Sequence, residues 1–367
     1  MDENINDYDV YEIDRLVREM LPVISAGEEG TYAIMMVPDL KERMLKLSTN
    51  LIENYRIAPV LKKYWENIAI LRLAYIGPKT KSNIRTNWIL FFATIATVAV
   101  AGYIHADVLY SKLHLQSGVF LNILYFTIAL MSIVGIHELG HIYASKRNGI
   151  DSTLPYFLPF PPIGFAIGTM GAFIKAKAPI KNRDELFTLG ISGPIAGLIV
   201  AIIVTFIGLS MSFSVSESQA DRWEDEGLVG DLPWTIILFE ILAYIAEKVG
   251  IITVNSGETL LVHPVAFAGW VGFLITGLNL LPLGQLDGGH VFRATADEDV
   301  HRQVTYMSAL ILVLIGLLAM AILALLLFRR GHPGGLDDVT QISKRKKIAA
   351  YLTMILAFLC LPIPISF

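Results

Sequence analysis

Cysteine is almost missing from this chain of 367 residues: Cys360 stands alone, which excludes an internal disulfide and any cysteine-cluster zinc site. It lies in an apolar run, where a small buried residue is the plain reading. Charge is scarce as well, at 17%, against about 25% in soluble domains. The net charge of −4 comes without a basic domain, which argues against nucleic acid as a partner. The acidic, polar start has neither the pattern of a secretory signal nor the Arg- and Ser-rich pattern of a transit peptide. What the chain has instead is apolar bulk. Hydrophobic residues make up 54% and mean hydropathy is +0.56, so the lipid bilayer is the first expected partner.

Residues 1–85 read as a small soluble α+β module. Val10, Ile13, Leu16, Val17 and Met20 repeat at helical spacing. Residues 31–37 look like a buried strand, Pro38-Asp39 opens a helix to Asn54, and 58–63 and 67–76 look like two further strands. The module carries no catalytic constellation; it reads as a regulatory or substrate-gating unit, or as a structural appendage.

Residues 86–367 read as a membrane domain of about six transmembrane helices, at 88–104, 119–143, 186–213, 265–283, 304–328 and 348–361. Lys79, Lys81 and Arg85 before the first run, and Lys146 and Arg147 after the second, mark the cytosolic side. The acidic loop after Phe213 suits the outside, and residues 234–249 read as an interfacial or partly inserted helix. If both last runs cross fully, the basic loop between Arg329 and Lys347 falls outside, against the charge rule. Between Pro155 and Pro162 four prolines exclude a spanning helix, and residues 164–170 and 171–177 look like two apolar strands. Such backbone persists at membrane depth only when buried in protein or lining a wet cavity.

The chemistry concentrates in His137-Glu138-Leu139-Gly140-His141, inside the second apolar run. Residues four apart share a helix face, so the two imidazoles can grip one metal ion while Glu138 takes a proton from the attacking water. In a membrane-length helix such residues cost several kcal/mol unless compensated, and are functional by default. At 1.5 Å per residue, His137 lies about 13 Å from Lys146 along the axis, inside the bilayer and nearer its cytosolic face. A catalytic zinc needs a third protein ligand, and Asp287, His290, His263, Glu240 and Glu258 are the candidates. Asp287 is best placed. Pro282 ends its helix, Gly288-Gly289 frees the chain to turn back, and both motifs fall at inward ends of their spans. His290 reads as a residue behind the ligands or in a turn, and His263 as a helix start. Asn279, a lone polar residue in an apolar helix, either bonds substrate or the developing oxyanion, or bonds another helix. Cobalt or iron would suit two histidines and a carboxylate nearly as well as zinc.

HELGH in one span, Gly193-Pro194-Ile195-Ala196-Gly197 in the next, and Asn279-Leu-Leu-Pro282-Leu-Gly-Gln-Leu-Asp287-Gly-Gly together resemble the site-2 protease family of intramembrane zinc metalloproteases over roughly residues 85–365. The undivided loop after HELGH and the His332-Pro333…Leu336-Asp337-Asp338 segment are similar to its archaeal and plastid-type branch. The resemblance implies a multi-pass protein of the cell membrane. Its Zn²⁺ would be held by His137, His141 and Asp287, with Glu138 as base, and it would cleave transmembrane segments of membrane-anchored regulators. It also implies a membrane-embedded β-hairpin that guides substrate. Here this is residues 164–178, with Phe173 and Ile174 as candidate substrate contacts. Two rivals are an intramembrane metal transporter, which would need polar residues in both membrane halves, and a CAAX-type membrane metallopeptidase, which would use a downstream glutamate rather than Asp287-Gly-Gly.

Overall fold

The computed structural model describes residues 7–28, 30–77, 83–107, 118–162, 167–226, 234–329 and 331–364. The first helix, α1 (Asp7–Met20), sets Ile13 and Val17 on one face, four residues apart. Strands β1 (Val23–Ala26) and β2 (Thr31–Met35) lead into α2 (Leu40–Asn50), which buries Leu40, Met44 and Leu47. A wider helical turn, Leu51–Tyr55, ends at Arg56, whose left-handed φ of 56° releases the chain. Next come β3 (Ile57–Trp65) and β4 (Ile68–Tyr75), completing an antiparallel sheet of order β1-β2-β4-β3. The two helices and this sheet share a core of their own, built on Val17, Ile34, Met44, Leu61 and Leu71.

Three helices among the described residues are long and apolar enough to cross a membrane: α3 (Ile84–Ala106), α4 (Val119–Arg147) and, after the hairpin below, α5 (Arg183–Ser210). The hairpin differs from the expected one. It pairs β5 (Tyr156–Pro159) with β6 (Thr169–Phe173), so the second expected strand is found in part, and its partner comes from the proline-rich stretch. Pro159 stands at the end of β5, where a missing amide donor costs no interior bond. Residues 164–166 of the first expected strand lie outside the described residues. Asn87 of α3 donates to the carbonyls of Leu154 and Pro155 at 2.9 and 2.8 Å, and Thr97 donates to Gly168 at 2.7 Å, fixing the hairpin against the first long helix.

Beyond α5 the chain forms β7 (Phe213–Ser216), α6 (Glu217–Asp225), β8 (Trp234–Ile236), the short apolar helix α7 (Ile237–Lys248) and β9 (Glu258–Leu261), with β7 and β9 paired. Helix α8 (Pro264–Leu280) packs on α5 through small residues: Gly272 faces Ala201, Gly269 faces Thr205, and Gly208 faces Ala266. A short helix, α9 (Asp287–Thr295), follows the break at Pro282.

The apolar run expected as one span at 304–328 is two helices, α10 (Glu298–Leu314) and α11 (Leu318–Phe328). Gly316, at φ 86°, supplies the reversal between them. Phe328 returns beside the start of α10, its ring 5.6 Å from His301 and 6.3 Å from Tyr306. Helix α12 (Lys344–Cys360) then starts beside α5, with Lys346 donating to the Asp184 carbonyl at 2.9 Å and to Thr188 at 2.7 Å. Strand β10 (Pro362–Pro364) closes against β8. Residues 335–338 form a strap between two units. Leu61 of β3 donates to Leu336 at 2.7 Å, while Leu336 and Asp337 donate to Ile180 and Lys181 at 2.9 Å each.

Candidate metal centre

His137 and His141 occupy successive turns of α4, and both are buried. Asp287 opens α9 and reaches them from the opposite side. Its Oδ2 lies 3.1 Å from His137 Nε2 and its Oδ1 lies 3.3 Å from His141 Nε2. The two Nε2 atoms are 3.2 Å apart, and one donor atom from each of the three residues falls within 4.8 Å of the others. Among the described residues no other group of three His, Cys, Asp or Glu converges in this way.

The donor set fits a cation. His141 Nδ1 bonds the Leu189 carbonyl at 2.9 Å, and a carbonyl only accepts, so Nδ1 carries the proton. The neutral ring then turns the Nε2 lone pair toward a carboxylate oxygen and a second imidazole. Such an arrangement repels itself unless a positive charge sits among the donors. The Leu189 bond also has the form usual behind metal-bound histidines, where the far ring nitrogen fixes tautomer and tilt.

Helix α5 makes the room. A Cβ on Gly193 would fall 2.5 Å from Cδ2 and 2.6 Å from Cε1 of His141, and closer still to its Nε2. One on Gly197 would meet His137 Cβ at 3.1 Å, and one on Gly190 would meet His290 Cβ at 2.9 Å and the Asp287 carbonyl at 2.7 Å. Gly190, Gly193 and Gly197 therefore form one stripe, spaced three and four apart, against which all three donor residues are seated. The 3-and-4 spacing of glycines in the helix following HELGH is the signal that an imidazole cradle leaves in the sequence.

Glu138 is buried beside the donors, and its Oε2 meets no hydrogen-bond donor among the described residues. Asn279 lies half-buried on α8, and no bond from its side chain to another described residue is found, so the helix-to-helix alternative gains nothing. The other candidate ligands are elsewhere. Glu258 is held by Ser214 and Asn255 at 2.8 and 3.0 Å, His263 caps α8 through the Val265 amide at 3.2 Å, and Glu240 sits on α7. His290, three residues past Asp287, bonds His332 instead of joining the donors. Phe173 ends β6 with its ring stacked on Tyr156 at 5.4 Å, and Ile174 follows it. Strand β6 packs against α4, and its outer edge is unpaired among the described strands.

Residues 125–323 match the sequence model of Peptidase family M50. Among curated proteins, the chain is 25% identical over 252 residues to the probable zinc metalloprotease EGY2, chloroplastic, of Oryza sativa subsp. indica, covering 66% of this chain and 43% of that protein. It is 27% identical over 244 residues to the Arabidopsis thaliana protein of the same name (64% and 41% covered). To the probable zinc metalloprotease EGY1, chloroplastic, of Arabidopsis thaliana it is 27% identical over 239 residues (63% and 41% covered). The chain thus spans about two fifths of the length of these relatives. No solved structure matches it.

Proposed function

Since the chain belongs to peptidase family M50, the site-2 protease family, we propose that it is an intramembrane zinc metallopeptidase, hydrolysing peptide bonds in or near transmembrane segments of membrane-anchored proteins. The observation that carries the reading is the meeting of His137, His141 and Asp287 beside a buried Glu138, whose Oε2 has no partner among the described residues, on a helix of membrane-crossing length. Zinc held by these three residues would supply a Lewis acid that polarises the scissile carbonyl and lowers the pKa of the attacking water toward neutral pH. Glu138 accepts the water's proton at Oε2 and delivers it to the leaving amine. Asn279 donates to substrate backbone. The free edge of β6 holds substrate as an added strand, replacing the helix bonds that must open before a carbonyl is accessible.

The membrane arrangement in this reading has α3, α4, α5 and α8 as the crossings, with α10 and α11 returning to the side they left. That keeps residues 344–347 on the same side as Lys146 and Arg147, the cytosolic one, and sets the metal nearer that face. Residues 1–85 form a module on this side that regulates or gates substrate entry, having a core of their own and a strap linking them to the catalytic part.

The test is Glu138→Gln in vesicles with a transmembrane substrate. The variant is expected to keep wild-type zinc content and to lose cleavage. Cleavage at the wild-type rate would overturn the assignment of the base, and a wild-type protein that holds zinc but cleaves no transmembrane substrate would overturn the function.

A further inference from the structure

Behind Asp287 lies a second group of histidines that the reaction above does not use. His290 stands one turn along α9 from Asp287, which puts the two side chains on one face. Its Nδ1 is 2.7 Å from Nε2 of His332, a buried residue that precedes the strap. His301, fully buried, packs edge-on to His332 with ring centroids 5.1 Å apart.

The direction of each bond can be worked out. The Gly334 amide donates to His332 Nδ1 at 3.0 Å, so in a neutral ring the proton is on Nε2. His332 Nε2 therefore donates to His290 Nδ1, and the proton of His290 stands on its own Nε2. Burial together with His290, His301 and Arg293 holds His332 well below the ordinary histidine range. The His290 N–H is not spent on the ligand set, because the oxygens of Asp287, whose charge this ring feels, lie against His137 and His141. Among the described residues it meets no acceptor.

We propose that His332 is a positioning residue for peptide hydrolysis: it locks the ring and tautomer of His290 so that the His290 Nε2–H, beside Asp287, is available to the carbonyl oxygen of the bound peptide. The lock is rigid because its far side is tied down. Asp338 accepts from the fully buried Arg293 of α9 at 2.5 Å and from Lys62 of β3 at 3.1 Å, and the strap between them is bonded on both edges. A donor held in this way needs no reorganisation as charge develops on the oxygen. The proposal rests on the peptidase reading, and two of its readouts do not depend on cleavage.

His332→Asn and His332→Gln separate the two bonds of this ring. Asparagine places an acceptor where Nδ1 was, keeping the Gly334 turn but falling short of His290. Glutamine places an amide N–H near Nε2, keeping the grip on His290. In vesicles with a transmembrane substrate, His332→Asn is expected to lower kcat about tenfold, the lower end of what supporting residues contribute, at unchanged KM and zinc content. His332→Gln is expected to stay within about threefold of wild type. In ¹⁵N-histidine NMR of the zinc-loaded protein, assigned by loss of the signal in His290→Gln, wild-type His290 should be protonated at Nε2 alone, and His332→Asn should give mixed tautomers. The proposal is overturned if His332→Asn keeps wild-type kcat, if both variants fall equally, if zinc is lost with kcat, or if wild-type His290 carries its proton on Nδ1. Should the wild type cleave nothing, the peptidase reading fails, and the tautomer measurement still decides whether His332 fixes His290.

Discussion

Replacing Gly193 by alanine sets two effects of opposite sign against each other. In a helix interior alanine is favoured over glycine by about 1 kcal/mol, so on propensity alone the variant should be more stable. At this position the added methyl would lie 2.5 and 2.6 Å from Cδ2 and Cε1 of His141. Comfortable contact needs about 3.5 Å, so the ring must retreat by about 1 Å, while metal–ligand distances tolerate about 0.2 Å. The retreat also breaks the Leu189 bond that fixes the ring. The expected outcome is a protein with a melting temperature at or above that of the metal-free wild type, but with zinc affinity lowered at least about 100-fold, the upper end of losses from residues behind the ligands. Gly197→Ala, tight at 3.1 and 3.2 Å from Cβ and Nδ1 of His137, should cost far less, and Gly135→Ala, whose added methyl meets no neighbouring element within 4 Å among the described residues, should change nothing. Zinc retained after dialysis against a chelator, measured beside thermal melts and substrate cleavage, reads all three. Full zinc and wild-type turnover in Gly193→Ala would refute the cradle.

Asp287→Ala should lose both zinc and cleavage, since two histidines alone hold the ion poorly; retention of metal would put the third ligand elsewhere. Proline at whichever of Phe173 and Ile174 turns its amide to the open edge of β6 should slow cleavage strongly while zinc content and melting stay put. Its neighbour, whose amide bonds within the hairpin, should destabilise the protein, and two prolines that both cleave normally would rule out strand addition. For pH dependence, burial and then the 3.1 Å bond to Asp14 push Tyr32 up to about 12 from 10.0. The folded module therefore holds a proton that the unfolded chain releases near 10, so this contribution is full below pH 10 and is lost as pH rises toward 12. Tyr32→Phe should remove that slope from melts of the N-terminal core, and identical slopes in both proteins would refute it.

The parts legible in the sequence are those where one local rule decides. Four-residue spacing places His137 and His141 on one face whatever surrounds them. Pro282 with Gly288-Gly289 points to a chain that turns, which is how Asp287 comes back to α4. The N-terminal elements follow alternation and helical spacing with little competition. What stays hidden depends on partners distant in sequence. Strand β1 is mostly exposed and has no alternation to read; it exists because β2 pairs with it. Strand β5 lies among prolines, and only its pairing with β6 shows that Pro159 stands at a tolerant end. The turn at Gly316 is invisible in a continuous apolar run, since a glycine marks a reversal only when packing holds it at positive φ. The link of His332 to His290 crosses 42 residues, and no periodicity connects them.

Polar atoms inside an apolar bundle need partners, and an unmet one costs about 1–3 kcal/mol. Around this centre the partners can be assigned almost completely. His141 gives its Nδ1 proton to Leu189, and the two Nε2 lone pairs and the Asp287 oxygens answer to one cation. His332 answers to Gly334 and to His290. Other buried atoms are left over among the described residues, both ring nitrogens of His301 included, but three groups bear on the reaction: the Oε2 of Glu138, the amide of Asn279 and the Nε2–H of His290. They come from three different helices, so no single local accident of packing accounts for them. Two of the three can donate and one accepts. Peptide hydrolysis calls for that division, with an acceptor for the proton of water and donors for substrate carbonyl oxygens. The stability these groups forgo in the free protein is recovered only when substrate and water arrive, which is the sense in which a buried site is built for its reaction before its reactants enter.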